Sequence, residues 1–396
     1  MFEVSEPWLS IIGLGEDGLA GLGDASRLAL SAAEIVFGAP RHLALADVGT
    51  RGRAWPLPFD VAPVLALRGQ RVVVLASGDP FWFGVGGSLS AHLSPAEWQV
   101  FPAPSTFSLA AARLGWRLED TACFGLHATP LASTRRALHP GQRLICLLRD
   151  GPAVGEFARW LTEHGFGASD WWVLEALGGP RERLRQTTAA GFDFADVAAP
   201  VAVAVQVAGA GGLPRSSGLP DTHFAHDGQI TKSPVRALTL AALAPRPGLH
   251  LWDVGAGSGS ISVEWCLAGG YASAIEQHAE RVANIRCNGA SFGLEKSLHV
   301  VEGLAPDALA GLAPPAAIFV GGGFNAALFE VLQAVAAPGC RLVVNAVTLE
   351  TESLLAALHA SHGGELLRIE LAHAAPLGRM RGWVPARPVV QWSVVL

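Results

Sequence analysis

The stretch Asp253-Val254-Gly255-Ala256-Gly257-Ser258-Gly259-Ser260 holds the densest chemical signal in the chain. An apolar run that reads as a strand precedes it, and residues 260–267, which read as a helix, follow it. Glycines at alternate positions let the backbone turn sharply and approach a ligand beside the positive end of that helix, a place suited to a nucleotide. The next apolar run ends in an acid, Glu276, about 20 residues on, where a carboxylate can accept bonds from both ribose hydroxyls. A glycine-rich turn that binds nothing and an NAD site are the alternatives. Gly321-Gly322-Gly323 follow another strand and either admit a substrate close to the backbone or form a flexible turn. Asn345, at the end of a later strand, and Glu350 are candidates for orienting a substrate or relaying a proton; Glu350 equally suits a helix N-terminus.

Other constellations are not evident. No Ser-His-Asp arrangement stands out and the 13 histidines lack ligand spacing, so no metal site is expected. His42 and His127 read equally as structural or functional. The 5 cysteines are scattered and never form Cys-x-x-Cys, which suits reduced core residues of a cytoplasmic protein. A formal net charge of -6, with 11 basic and 13 acidic side chains over residues 222–396, speaks against nucleic acid as a partner. No Asn-Pro-Pro-Tyr accompanies the glycine triplet, against methylation of exocyclic base amino groups. Residues 1–6 lack the basic start of a secretory signal. The apolar runs are strand-length, far below the roughly 20 residues of a membrane span.

Two domains must position these residues. The 396-residue chain is 50% hydrophobic and 16% charged, enough for two full cores. Its clearest break is 209–220, so rich in Gly, Pro and Ser that it reads as a linker unable to pack a core, between domains at 1–208 and 221–396. Beyond it, Ser233 as N-cap and Pro234 at the first turn open a helix over 233–243. Strands follow at 249–254, 272–276, 298–301, 316–320 and 341–346, with helices at 260–267, 279–290, 326–336 and 350–362. This alternation predicts a mainly parallel sheet covered on both faces. Two closing strands, 365–372 and 389–395, predict a hairpin and hence one antiparallel edge strand. The first half is again α/β, in two smaller lobes. Strands fit at 9–14, 72–76, 99–101, 144–148, 171–175 and 201–207, and helices at 25–33, 107–114 and 154–164.

The second half resembles a known family. The Asp-x-Gly-x-Gly-x-Gly loop is similar to that of Rossmann-like class I methyltransferases. Together with Thr231-Lys232-Ser233-Pro234-Val235-Arg236, Val320-Gly321-Gly322-Gly323 and Val344-Asn345-Ala346-Val347-Thr348-Leu349-Glu350, it resembles the decarboxylating precorrin methyltransferases of cobalamin synthesis. The resemblance implies S-adenosylmethionine held by Thr231, Gly255, Ala256, Gly257, Ser258, Gly259, Glu276 and Ala305. Leu304 departs from the family, whose members commonly carry aspartate there.

In the first half, Gly13-Leu14-Gly15-Glu16, Gly78-Asp79-Pro80-Phe81 and Pro104-Ser105-Thr106 end strands or open a helix. In this order they resemble the two-lobed tetrapyrrole methylases, class III methyltransferases, with Gly15, Asp79, Pro80 and Thr106 at a second donor site. Glu16 and Ala103 depart from the usual proline and glycine.

The fusion order implies methylation of precorrin-6B at carbon 5 by the first domain. The second would methylate carbon 15 and remove the carbon 12 acetate carboxyl, giving precorrin-8X. A homo-oligomer joined through the C-terminal domain is expected. A precorrin carries many carboxylates, which suits arginines. No acid follows Glu370, yet Arg379, Arg381 and Arg387 do, so this basic hairpin is the candidate carboxylate site, with solvated loop arginines as the alternative. Lys232 and Arg236 beside the glycine loop are similar candidates. Rival readings are a methyltransferase acting on another small molecule, RNA or protein, and a non-enzymatic tetrapyrrole carrier. The intact Gly255, Gly257 and Gly259 speak against the carrier.

Overall fold

The computed structural model describes residues 7–209 and 211–396, so the reading of residues 1–6 and the linker residue Ala210 lie outside the described part. The chain forms two compact units, Met1–Leu131 with Ala137–Gly212, and Ala132–Arg136 with Leu213–Leu396. The division falls inside the expected linker, but the linker is not uniform. Its second half packs: Leu213 lies against the second core and Leu219 is buried. The expectation that 209–220 packs no core is thus corrected, because two leucines among the glycines and prolines suffice to anchor it.

The first unit contains two five-stranded sheets. One is parallel, built from β1 (Leu9–Leu14), β2 (Ile35–Gly38), β3 (Gly52–Ala54), β4 (Val72–Ser77) and β5 (Trp98–Phe101) in the order β3-β2-β4-β1-β5. Helices α1 (Asp24–Ala32), α2 (Pro40–Leu45), α3 (Ala62–Leu65) and α4 (Gly86–Ser90) accompany it. The other is mixed, built from β6 (Thr121–Gly125), β7 (Arg143–Leu148), β8 (Asp170–Glu175), β9 (Arg183–Thr188) and β10 (Val201–Gln206) in the order β6-β7-β10-β8-β9. With it go α5 (Thr106–Leu114) and α6 (Gly151–Glu163). β1, β4 and β10 are buried almost throughout and nearly all apolar, as strands covered on both faces tend to be.

The second unit is one seven-stranded sheet. Its strands are β11 (His250–Val254), β12 (Tyr271–Glu276), β13 (Leu298–Glu302), β14 (Ala317–Val320), β15 (Arg341–Ala346), β16 (Glu365–Ile369) and, after a hairpin of β17 (Ala372–Leu377) with β18 (Met380–Pro385), β19 (Val389–Val395). The order is β13-β12-β11-β14-β15-β19-β16. β19 is antiparallel to both neighbours and lies inside the sheet, while β16 takes the edge, which corrects the expected antiparallel edge strand. The physical reason is Trp392 and Gln391, both buried, which need cover on each side. Helices α7 (Ser233–Leu243), α8 (Ser260–Leu267), α9 (Ala279–Ser291), α10 (Ala326–Val335) and α11 (Leu349–His362) complete the unit. Ser233 is not a cap: its hydroxyl donates to the carbonyl of Gly218 at 2.7 Å. Among the described residues no helix is long and apolar enough to cross a membrane.

Candidate active site

In the second unit, β11 delivers the glycine loop to a cleft of about 670 Å³ at the strands' C-terminal ends. Gly255 has φ +69, left-handed backbone that favours glycine, and a Cβ there would press on the carbonyl of Gly322 at 3.0 Å. The two glycine loops therefore meet at the floor of the cleft. Glu276 ends β12 there, with 4% of its surface exposed. Its Oε2 accepts the Gly257 N–H at 2.9 Å and its Oε1 the His278 N–H at 3.0 Å. Each oxygen keeps a lone pair, so vicinal hydroxyls of a ribose can be accepted while the backbone bonds hold the carboxylate still. Gly303, Leu304 and Ala305 form another wall, and Leu304 is 63% exposed, an apolar surface where an adenine face can lie. The residues present fit an adenosyl group.

Asp253, two residues before the loop turns, is fully buried. Its Oδ2 accepts from the Ser262 N–H at 3.2 Å and the Ser262 hydroxyl at 2.6 Å, while Oδ1 has no partner among the described residues. Burial pushes its carboxyl up to about 6, with the bonds from Ser262 opposing and the charge of Glu276 reinforcing.

Of the expected residues, Thr231, Lys232, Gly255, Ala256, Gly257 and Glu276 line this cleft, as do Ala305, Gly321, Gly322, Asn345 and Arg387. Asn345 is already engaged, donating to the Thr239 hydroxyl at 3.0 Å and accepting from Gln391 at 2.9 Å. Ser258 and Gly259 lie beneath the loop instead: Ser258 is buried with its carbonyl bonded to Asn288, and Gly259 packs on Ile285 at the start of α8. Arg236 is corrected outright. It has no exposed surface, and its guanidinium is committed to Glu264, Asp221 and two carbonyls. Glu350 sits in the first turn of α11 and Arg379 and Arg381 on the β17–β18 hairpin, all three outside the cleft lining. An acid-free sequence marks a basic tail but not the direction in which its side chains point. Gln229, His278 and His373 line the cleft and were not foreseen. His278, two residues after Glu276, was within reach of a positional argument, whereas His373 carries no local signal.

The first unit has its own cleft of about 510 Å³. A Cβ on Gly13 would overlap the carbonyl of Gly78, so the ends of β1 and β4 meet at a closeness only glycine permits. Gly15 and Thr106 line the cleft as expected. Asp79 and Pro80 do not; they brace the turn beside it, Asp79 Oδ1 accepting the Phe81 N–H at 2.8 Å and the Pro80 carbonyl the Gly86 N–H at 2.8 Å. A polar cluster not anticipated as a unit lies on the wall. Glu16 pairs with Arg41 and with Arg181, and Arg41 Nη2 reaches His42 Nε2 and the Ser77 hydroxyl, each at 2.9 Å. An Arg donates only, so Nε2 must accept, and His42 is held neutral. Burial first, and the Arg41 charge second, depress its pKa to about 4. Trp55, Trp82 and Phe83 add an aromatic wall.

Similarity to known proteins follows the two clefts. Residues 9–193 match the tetrapyrrole (corrin/porphyrin) methylases and residues 222–396 the precorrin methyltransferase domain. A precorrin-6Y C(5,15)-methyltransferase [decarboxylating] of Sinorhizobium sp is 49% identical, over 98% of this chain and 97% of its own. The chain belongs to the precorrin-6Y C(5,15)-methyltransferases (decarboxylating). A namesake from Mycobacterium tuberculosis is 43% identical over 97% of this chain and 98% of its own. The crystal structure of the C-terminal domain of precorrin-6Y C5,15-methyltransferase from Rhodobacter capsulatus is 59% identical, covering 46% of this chain and 100% of that one, with a TM-score of 0.46. The chain is thus a methyltransferase enzyme, with a tetrapyrrole methylase domain followed by a Rossmann-like one.

Proposed function

We propose that each unit binds one S-adenosylmethionine, the first methylating carbon 5 of a precorrin and the second methylating carbon 15 and releasing carbon dioxide from the carbon 12 acetate, in cobalamin synthesis. The observation that carries this reading is Glu276, a buried carboxylate fixed by two backbone N–H groups yet retaining acceptor capacity toward the cleft. When bound, the donor supplies an electrophilic methyl group. An electron-rich ring carbon attacks such a group without a strong protein base, so the chain's task is to orient and to exclude water, worth several kcal/mol. Lys232 and Arg387 hold ring carboxylates in the second cleft, and Asn345, fixed by Thr239 and Gln391, presents its remaining amide hydrogen to the ring. In the first cleft, Trp55, Trp82 and Phe83 offer apolar aromatic surface to a conjugated macrocycle.

On this reading the enzyme works in the cytoplasm, as a homo-oligomer joined through its C-terminal domain. Supporting this, Leu377, Met380 and Trp383 on the β17–β18 hairpin are exposed, Trp383 by 76%, an apolar surface suited to a second copy. The deciding experiment incubates purified protein with the reduced precorrin and isotopically labelled donor, then weighs the product. The expected mass shift is two methyl groups gained and one carbon dioxide lost. An unchanged mass refutes the reading.

A further inference from the structure

Arg236 has no exposed surface, and a buried guanidinium is tolerated only when its N–H groups are paired. Its Nε donates to Glu264 Oε1 at 2.6 Å and its Nη1 to Asp221 Oδ1 at 3.2 Å; Nη1 also reaches the Thr231 carbonyl and Nη2 the Leu219 carbonyl. The Phe224 ring centroid lies 4.8 Å from its Cζ. Glu264, buried on α8, in turn accepts the N–H groups of Gly218 at 2.7 Å and Leu219 at 2.9 Å. These partners are the two ends of one strap, residues 218–232. Between them, Asn288 accepts the Ala225 N–H at 2.7 Å and donates to the Ser258 carbonyl under the glycine loop at 2.8 Å, and Arg281 bonds Asp227 at 2.8 Å. The last turn of the strap, Gln229 to Lys232, lines the second cleft.

We infer that the Arg236–Glu264 pair is a positioning device for the donor site, fixing both ends of this strap to α8 so that Gln229–Lys232 are held over the cleft. The inference rests on the donor reading of that cleft. The ion pair as such need add little to stability, because apolar residues of matching volume often replace a buried ion pair without loss. What they cannot reproduce is a planar fork that meets α8, the start of the strap and the Thr231 carbonyl at once.

The test uses the full chain carrying Arg236→Met with Glu264→Leu, titrated with S-adenosylmethionine. Donor-dependent protection of residues 255–259 from hydrogen exchange reports the second-unit site. The double variant is expected to fold but melt lower, because the N–H groups of Gly218 and Leu219 and the carbonyls of Leu219 and Thr231 lose their partners, to exchange faster over 219–231, and to bind donor at that site roughly tenfold more weakly. Arg236→Lys keeps the charge toward Glu264 but cannot span both carbonyls, and is expected to fall between the two. A folded double variant with wild-type donor affinity overturns the inference. Should the double variant fail to fold, a folded Lys variant with wild-type affinity overturns it equally. Wild-type protein showing no protection at 255–259 would instead refute the donor reading.

Discussion

Replacing Glu276 by Gln changes one oxygen to an amide and little else in shape. In the native site the two carboxylate oxygens face the N–H groups of Gly257 and His278, at 2.9 and 3.0 Å. A glutamine can satisfy one of them, but its NH₂ then opposes the other donor, and its charge toward the ribose is lost. Hydrogen bonds to a charged group are worth about 1.5–3 kcal/mol each, so losing one such bond to the ribose weakens donor binding roughly 10- to 150-fold. Calorimetry on the full chain supplies its own control, because the first-unit site contains no part of this change. The expected isotherm keeps one site and weakens the other, and the product retains its carbon 5 methyl while carbon 15 methylation and decarboxylation fall. Equal weakening at both sites together with a lowered Tm would mean general damage. Unchanged affinity at both sites would refute the assignment of Glu276 to the ribose.

Asp253 predicts a pH dependence of stability. Its folded pKa, about 6, lies above the usual carboxylate range, so the folded state holds the proton more tightly than the unfolded chain. Its contribution is therefore present below about pH 4 and lost as pH rises through 6, on the order of 3 kcal/mol. In thermal melts without donor, the Tm of Asp253→Asn relative to wild type should rise between pH 4 and pH 7; a constant difference would contradict the burial argument. Arg387→Ala should raise the precorrin KM several-fold through lost carboxylate binding, whereas Arg379→Ala and Arg381→Ala, outside the cleft, should not; equal effects of all three would move the carboxylate site to the hairpin. Trp383→Asp should shift the molar mass measured by light scattering toward one chain, and an unchanged oligomer would place the interface elsewhere.

Elements buried on two faces were legible because most of their positions must be apolar. β1, α8 and β15 fall at their expected residues for this reason. β9 was missed because its outward polar positions mask a half-buried strand, and β17 because Pro376 and its exposed alanines carry no alternation toward a core. At the site, Gly255, Gly257 and Glu276 could be read because each answers a backbone constraint: a turn, a close approach, a strand end. Charged residues follow no such rule. Lys232 and Arg236 are four apart on adjoining turns, yet one lines the cleft and the other is sealed beneath it. What separates them is Glu264, whose buried carboxylate requires a cation and takes Arg236 from the ligand. A charge near a glycine loop therefore becomes a candidate for substrate binding only after the buried counter-charges of its neighbours have been assigned, and those assignments come from tertiary packing.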